Sequence, residues 1–258
     1  METPHSPSAP SPASTVAVVL AAGLGKRMGA PIPKVLFTLG GKPLIRWVIE
    51  AAQAAGIPRI VVVIGHQGET VRDAVADLNV EFVWQHERKG TGHAVMQAEP
   101  LLSSHQGPVV VLNGDVPRIQ PDTLRSLIAT QAQSGAAAAV VTVLMDDPKG
   151  YGRIVRRPGG IVDRIVEERD ADPETKAIKE INTGTFCFRA AELFATLHQV
   201  TNKNAQGEYY LTDVVSLLCH KGLSVVAVQS ADPNEAHGVN SQEQLAALEK
   251  LDRTGDTL

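Results

Sequence analysis

The stretch Val16-Ala17-Val18-Val19-Leu20-Ala21-Ala22-Gly23-Leu24-Gly25-Lys26-Arg27-Met28-Gly29 decides the fold class. Its first five residues are a short β-branched run that reads as a strand, and a glycine-rich loop follows. Beyond the loop, Leu44, Trp47, Val48, Ala51 and Ala55 repeat at helical spacing behind Pro43, a residue favoured in a first turn. Strand, loop and helix in that order open a unit of parallel strands joined by crossover helices.

Outward from this unit the alternation continues. Strands are expected at 60–64, 80–84, 109–112 and 137–144, and helices around 69–77, after Gly92, and from Pro121 with Leu124, Leu127 and Ile128 on one face. The pattern is that of a doubly wound, mainly parallel, Rossmann-like α/β sheet. Near Asp146 the texture changes. Residues 151–156 and 161–168 read as strands around a Pro158-Gly159-Gly160 turn, and 181–188 as another, so an antiparallel elaboration of one side of the sheet is expected. A helix from about Tyr209 carries Tyr210, Val214, Leu217 and Leu218 on one face, 225–228 is a further strand, and Ser241 with Gln244 forms a capping box for a last helix. With no internal repeat and no linker, residues 15–252 are expected to form one domain. Residues 1–14, rich in Pro and Ser, are expected to be a disordered tail, and 253–258 a C-terminal one.

Composition narrows the function classes. With 24 basic and 28 acidic residues the net charge of −4 offers no bulk attraction to nucleic acid or to an anionic membrane, so any phosphate must be held locally. The longest apolar or glycine run of the first half, residues 16–25, is about half of what a membrane span needs. Cys187 and Cys219 stand alone and far apart, which suits buried thiols in a reducing, cytoplasmic setting better than a disulfide or thiolate zinc site. No HExxH is present, and His66 and His93 are expected in loops at strand ends, where lining a pocket or hydrogen bonding accounts for them.

The loop 21–29 can cradle phosphates through backbone N–H groups, with Arg27 and Lys34 as local cations. Met28 occupies the third glycine of GxGxxG, which excludes the dinucleotide fingerprint, and Arg27 follows Gly25-Lys26 where a Walker loop has Ser or Thr. A plain glycine-rich connection with solvated cations remains open at this point.

Further motifs follow in order: Pro33-Lys34-Val35-Leu36, Gln85, Gly90-Thr91-Gly92-His93-Ala94, Asn113-Gly114-Asp115-Val116-Pro117, Gly150-Tyr151-Gly152-Arg153, Ile165-Val166-Glu167, Glu180-Ile181-Asn182-Thr183-Gly184, residues 204–210 and Gly238-Val239-Asn240. Together they resemble the sugar-nucleotidyltransferases, and most of all the uridyltransferase domain of the bacterial bifunctional enzyme that makes UDP-N-acetylglucosamine, over about residues 15–250. The resemblance implies the nucleotide-diphospho-sugar transferase fold, with the antiparallel strands on the sugar side. It also implies transfer of a uridylyl group from UTP to N-acetylglucosamine 1-phosphate. Ala21, Ala22 and Gly23 would hold uridine and phosphates, Gln85, Gly90 and Thr91 would read the uracil, and Arg27 and Lys34 would meet the triphosphate. Asp115 and Asn240 would bind Mg²⁺, and Gly152, Glu167 and Asn182 would hold the sugar. The chemistry suits these residue types, because the sugar phosphate is already an anionic nucleophile and the barrier lies in bringing anions together while charge grows on the α-phosphoryl and the departing pyrophosphate. Uracil presents one N–H between two carbonyls, which an amide can read.

Each residue also has a plainer account. Asp115 could cap a turn, Asn240 could mark a helix entry, Glu167 could be a solvated strand charge, and Asn182 could be a turn former before Gly184. Asn113 stands where the relatives usually have Tyr, Arg88 where they tend to have Gln, and the segment between Gly152 and Glu167 is one residue longer. These departures leave room for another sugar or base. A sensor that binds nucleotide sugars without turnover is the alternative from another class, and it gives no reason to keep cations that act only in the transition state. The hexapeptide-repeat acetyltransferase and trimerising domain of the bifunctional enzyme has no counterpart in this sequence, so a single activity is expected, with the oligomeric state open.

Overall fold

In the computed structural model, residues 15–23, 32–239 and 241–254 are described. The elements in chain order are β1 (Val16–Leu20), β2 (Thr38–Leu39), β3 (Lys42–Pro43), α1 (Leu44–Ala54), β4 (Arg59–Ile64), α2 (Gly68–Ala74), β5 (Glu81–Trp84), α3 (Thr91–Met96), α4 (Glu99–Leu102), β6 (Pro108–Asn113), α5 (Pro121–Ser134), β7 (Ala138–Leu144), β8 (Gly152–Arg157), β9 (Ile161–Val166), α6 (Pro173–Lys176), β10 (Glu180–Arg189), α7 (Ala190–Leu197), α8 (Asp213–His220), β11 (Val225–Gln229) and α9 (Gln242–Thr254). Short 3-10 turns lie at Lys34–Leu36 and Pro233–Ala236. The tail 1–14 and the final four residues, 255–258, lie outside the described residues. None of the described helices is long and apolar enough to cross a membrane.

The sheet order is β11-β7-β10-β6-β1-β4-β5, with β8 and β9 branching from β10. β5, β4, β1 and β6 are parallel, as are β7 and β11. Helices cover both faces, which is why the strands read as unbroken apolar runs. Successive side chains alternate, so Val16, Val18, Val61, Val63, Val109 and Val111 pack with α3, α7 and α8. Ala17, Val19, Ile60, Val62, Val110 and Leu112 pack with α1, α2 and α5 on the other face.

The doubly wound, mainly parallel sheet expected from the sequence is present, and three details differ from expectation. β10 does not stay on one side. It lies inside the main sheet, antiparallel to both β6 and β7, and only its first residues, Ile181 and Asn182, pair with β8. The antiparallel β8–β9 hairpin is as read. The helix expected from Tyr209 begins at Asp213. Residues 209–211 are held by the loop before α3 instead. The Tyr209 N–H donates to the Lys89 carbonyl at 2.7 Å, the Gly92 N–H donates back to the Tyr209 carbonyl at 2.8 Å, and the Leu211 N–H meets Thr91 Oγ1 at 3.0 Å. With the Tyr209 carbonyl turned to Gly92, the Asp213 N–H donates to the Tyr210 carbonyl at 3.3 Å and the Val214 N–H to the Leu211 carbonyl at 3.1 Å, so the chain makes turns here and the helix starts only at Asp213. Pro43 precedes α1 in extended conformation, outside the first turn.

Ser241 Oγ accepts the Gln244 N–H at 3.3 Å, the serine half of the expected capping box. α9 packs through Leu248 on Leu39, Leu44 and Val239, and so draws the segment before it against the β2–β3 hairpin.

Candidate functional site

The sheet order reverses at β1. From there the chain builds β4 and β5 on one side, then returns to place β6 on the other, and such a switch point leaves a crevice beyond the carboxyl ends of the two central strands. Leu20 ends β1 in register with Asn113 at the end of β6. The Gly114 N–H donates to the Leu20 carbonyl at 2.9 Å, and a Cβ on Gly114 would stand 2.9 Å from that same oxygen, so only glycine allows this approach. The turn lifts Asp115 over the crevice. Its carbonyl accepts the Val239 N–H at 2.9 Å, which ties the segment leading to residue 240 beside it. From the 3-10 turn, Lys34 forms an ion pair with the Asp115 carboxylate, the two side chains being 19% and 13% exposed.

The crevice has two lobes. One, of about 740 Å³, is lined by Ala22, Gly23, Gln85, Arg88, Gly90 and Arg169 among others. The other, of about 360 Å³, is lined by Lys149, Tyr151, Gly152, Glu167, Asn182 and Thr212 among others. Leu20, Lys34, Thr91, Asn113 and Asp115 border both. The Lys34–Asp115 pair thus sits where the contents of the lobes would meet.

In the larger lobe, Gln85 is 4% exposed, held by its own N–H to the Ile64 carbonyl at 2.8 Å. Its Nε2 donates to the Gly90 carbonyl at 3.1 Å, leaving Oε1 as the acceptor available to a ligand. Gly90 has φ +106°, and a Cβ there would come within 2.6 Å of the Tyr209 carbonyl, so this loop can close on residues 209–211 only with glycine. Ala21 continues the β1 ladder: its side chain is buried with Val35 and Val62 in the core and its N–H donates to the Val63 carbonyl at 2.8 Å, so neither group is offered to a ligand. Arg27 lies outside the described residues.

In the smaller lobe, Asn182 faces Gly152 across the β10–β8 pairing. Asn182 Oδ1 accepts the Gly184 N–H at 2.9 Å within an irregularity of β10 between Asn182 and Phe186, so the turn-forming role and the pocket position coexist in one side chain. Glu167 is no solvated strand charge. Burial pushes its carboxyl above the usual range against the pull of Thr212, and Asp213, Asp170 and Glu208 add to the rise. Thr212 Oγ1 donates to Glu167 Oε1 at 2.9 Å. A Cβ on Gly152 would stand 3.6 Å from both Glu167 oxygens, so the missing side chain is what leaves the carboxyl open to the lobe. Tyr151, whose hydroxyl burial and then Asp115 push upward, also lines the lobe.

Sequence reasoning passed over Thr212 and Tyr151. Tyr151 stood in view as the neighbour of Gly152, whereas Thr212 reaches Glu167 across 45 residues and carries no local signal. Asn113 lies at the junction, while Arg88 belongs to the larger lobe and borders a further small pocket with His66, Trp84 and His86. His93 lies within α3, not in a loop. Both cysteines are buried free thiols, and burial pushes Cys187 up to about 12, the character of packing groups.

Asp115 alone among the described residues matches the expected metal pair, since Asn240 lies outside them, and no three His, Cys, Asp or Glu among them are placed to hold a metal ion together. One hard carboxylate oxygen at a phosphate site is the donor set Mg²⁺ uses when substrate oxygens and water complete the shell. The residues fit such an ion.

Residues 17–211, about three quarters of the chain, match the MobA-like NTP transferase domain. The chain belongs to that family. It is by family a nucleotidyltransferase, resembling the bifunctional protein GlmU of Heliobacterium modesticaldum at 50% identity over 235 residues, 91% of this chain and 51% of that protein. GlmU of Burkholderia mallei is 51% identical over 91% of this chain and 51% of its own length, and GlmU of Geobacter metallireducens 46% identical over 92% and 50%. The chain of this NTP transferase thus spans about half the length of these relatives. Its fold is shared with a solved UDP-glucose pyrophosphorylase complexed with UDP-glucose, at a TM-score of 0.75 and 18% identity, covering 94% of this chain and 99% of that one.

Proposed function

We propose that this nucleotidyltransferase moves the uridylyl group of UTP onto N-acetylglucosamine 1-phosphate, releasing pyrophosphate, with Mg²⁺ as cofactor. The observation that carries this reading is the two-lobed crevice with Lys34 and Asp115 on the wall between its lobes. A nucleoside in the Gln85 lobe and a sugar in the Glu167 lobe would bring their phosphates together at that wall.

The protein's part is positioning and charge. Gln85 Oε1 accepts the ring N–H of uracil, while Ala22 and Gly23 at the end of β1 and Gly90 and Thr91 before α3 bound the nucleoside. Glu167 and Asn182 hydrogen bond the sugar over the opening left by Gly152. An oxygen of the sugar phosphate attacks the α-phosphorus, the bond from that phosphorus to the bridging oxygen breaks, and pyrophosphate leaves with the electron pair. No general base is required, because the nucleophile is already an anion. Lys34 meets the charge that grows on the α-phosphoryl oxygens. Asp115 would hold Mg²⁺, with Asn240 as its expected companion, and the ion would neutralise phosphate charge.

Two observations bear on the sugar. Asn113, smaller than the Tyr of the relatives, borders the Glu167 lobe as well as the larger one, and Arg88, another departure, borders only the larger. What favours N-acetylglucosamine is the set of buried polar groups, Glu167 and Asn182, that would be left unpaired if its acetamido group were absent. The test is pyrophosphate release across nucleoside triphosphates and sugar 1-phosphates. UTP with N-acetylglucosamine 1-phosphate is expected to lead, at least about tenfold above glucose 1-phosphate in kcat/KM. EDTA and Asp115→Ala should each abolish turnover while thermal unfolding of the variant stays close to that of the parent. A preference for glucose 1-phosphate would refute the sugar assignment, and an active Asp115→Ala variant would refute the metal assignment.

A further inference from the structure

The Gln85 lobe is backed by a histidine that the reaction does not use. A backbone carbonyl can only accept, so the Gln85 amide atom 3.1 Å from the Gly90 oxygen is the nitrogen, Nε2. That nitrogen also stands 3.0 Å from His93 Nδ1. An amide carries two hydrogens, and with one on Gly90 the other meets Nδ1, which must therefore be unprotonated. His93 is then the neutral tautomer with its proton on Nε2. Gln97 Nε2 stands 3.5 Å from that second ring nitrogen and donates at 3.0 Å to the His93 carbonyl, so Nδ1 decides the tautomer.

The surroundings favour the neutral ring. Burial holds His93 below the usual range, Lys89 acts in the same direction, and Glu87 opposes them. Those two charges lie in the loop before α3. From the segment before α8, the ring of Tyr209 is tilted against His93 at 6.3 Å.

We propose that His93 is a positioning residue for base selection, locking the Gln85 carboxamide with both amide hydrogens turned into the protein and only Oε1 turned to the base. This rests on the nucleotide reading above. An acceptor-only amide welcomes a pyrimidine whose ring nitrogen carries hydrogen, as in uracil, and repels the bare ring nitrogen of cytosine. Removing the imidazole acceptor strands one amide hydrogen and frees the amide to reverse. Protonating the imidazole opposes two donors and drives the same reversal.

The experiment measures kcat/KM for UTP and CTP with the full chain, as wild type, His93→Phe and His93→Asn, in steps from pH 8 down to pH 5. Phe keeps the volume without an acceptor, and Asn offers a carbonyl close to where Nδ1 stands. The UTP over CTP ratio is expected to fall about tenfold in His93→Phe, equivalent to about 1.4 kcal/mol, and to stay within about threefold of wild type in His93→Asn. In the wild type the ratio should shrink as pH falls through the titration of His93, and in His93→Phe it should not change. Nitrogen-15 histidine NMR of the nucleotide-free wild type at pH 8 should show Nε2 protonated. An unchanged ratio in His93→Phe, an equal loss for both nucleotides, or an Nδ1-protonated ring would overturn the proposal. Should His93→Phe fail to fold, the wild-type pH series and the tautomer decide. If wild type released no pyrophosphate from UTP with any sugar phosphate, the nucleotide reading itself would fall and the base-selection role with it. An active enzyme with an unchanged ratio would remove the role of His93 alone.

Discussion

Gly184→Ala separates two effects that the structure places at one atom. Gly184 has φ +80°, within the irregularity that turns β10 past the Glu167 lobe. A Cβ there would also stand 2.1 Å from Asn113 Nδ2, the flexible end of a side chain that borders both lobes. The clash itself is cheap, since Asn113 can rotate away, whereas the left-handed backbone cannot be avoided and costs an L-residue about 1 to 2 kcal/mol. For a chain of this size that corresponds to a fall in Tm of roughly 2 to 8 °C. Rotation of Asn113 should separately raise the KM for the sugar phosphate. The assay is thermal unfolding and steady-state kinetics of Gly184→Ala, Asn113→Ala and the double variant. The alanine at 113 should remove the kinetic penalty that Gly184→Ala adds and leave its stability penalty intact, a non-additive result in one observable and an additive one in the other. A Gly184→Ala protein with unchanged Tm would refute the strain argument. A kinetic defect that persists undiminished in the Asn113→Ala background would refute the collision.

Lys34→Ala should lower kcat by about 10² to 10³ with a much smaller rise in the KM for UTP, because its charge matters most as the α-phosphoryl becomes more negative; an effect confined to KM would make Lys34 a ground-state clamp. Glu235 is 5% exposed, accepts from Thr123 Oγ1 at 2.9 Å, and leaves Oε2 buried without a partner. Burial raises its carboxyl from the ordinary 4.5, so the folded protein holds this proton more tightly than the unfolded chain. The contribution of this group to stability should therefore fall as pH rises from about 4.5 through the raised value. Glu235→Gln should flatten that fall in Tm measured from pH 4 to pH 8, and an unaltered profile would show the carboxyl to be ionised without penalty.

The amino-acid sequence by itself determined the elements whose residues interact locally or alternate with a short period. The valine runs at the centre of β1, β4 and β6 are unbroken because helices cover both faces, and that continuity is legible without coordinates. The turn that ends β6 was legible for a related reason: glycine is required where the Gly114 amide meets the Leu20 carbonyl, and such a requirement marks the sequence. What depends on pairing between distant residues was not legible. β10 reads as one more β-branched run, and nothing local tells it to enter the sheet between β6 and β7 in the reverse direction. Tyr210 continues a helical spacing, yet the backbone before Asp213 is held by the loop at 89–92 and cannot follow that spacing. Thr212 on Glu167, His93 on Gln85, and the Lys34–Asp115 pair between two lobes are products of the same folding. Only the tertiary structure could decide them, because a hydrogen bond or ion pair between side chains of different elements leaves no period in the sequence, and exists only once the sheet has set the strand ends and loops in place.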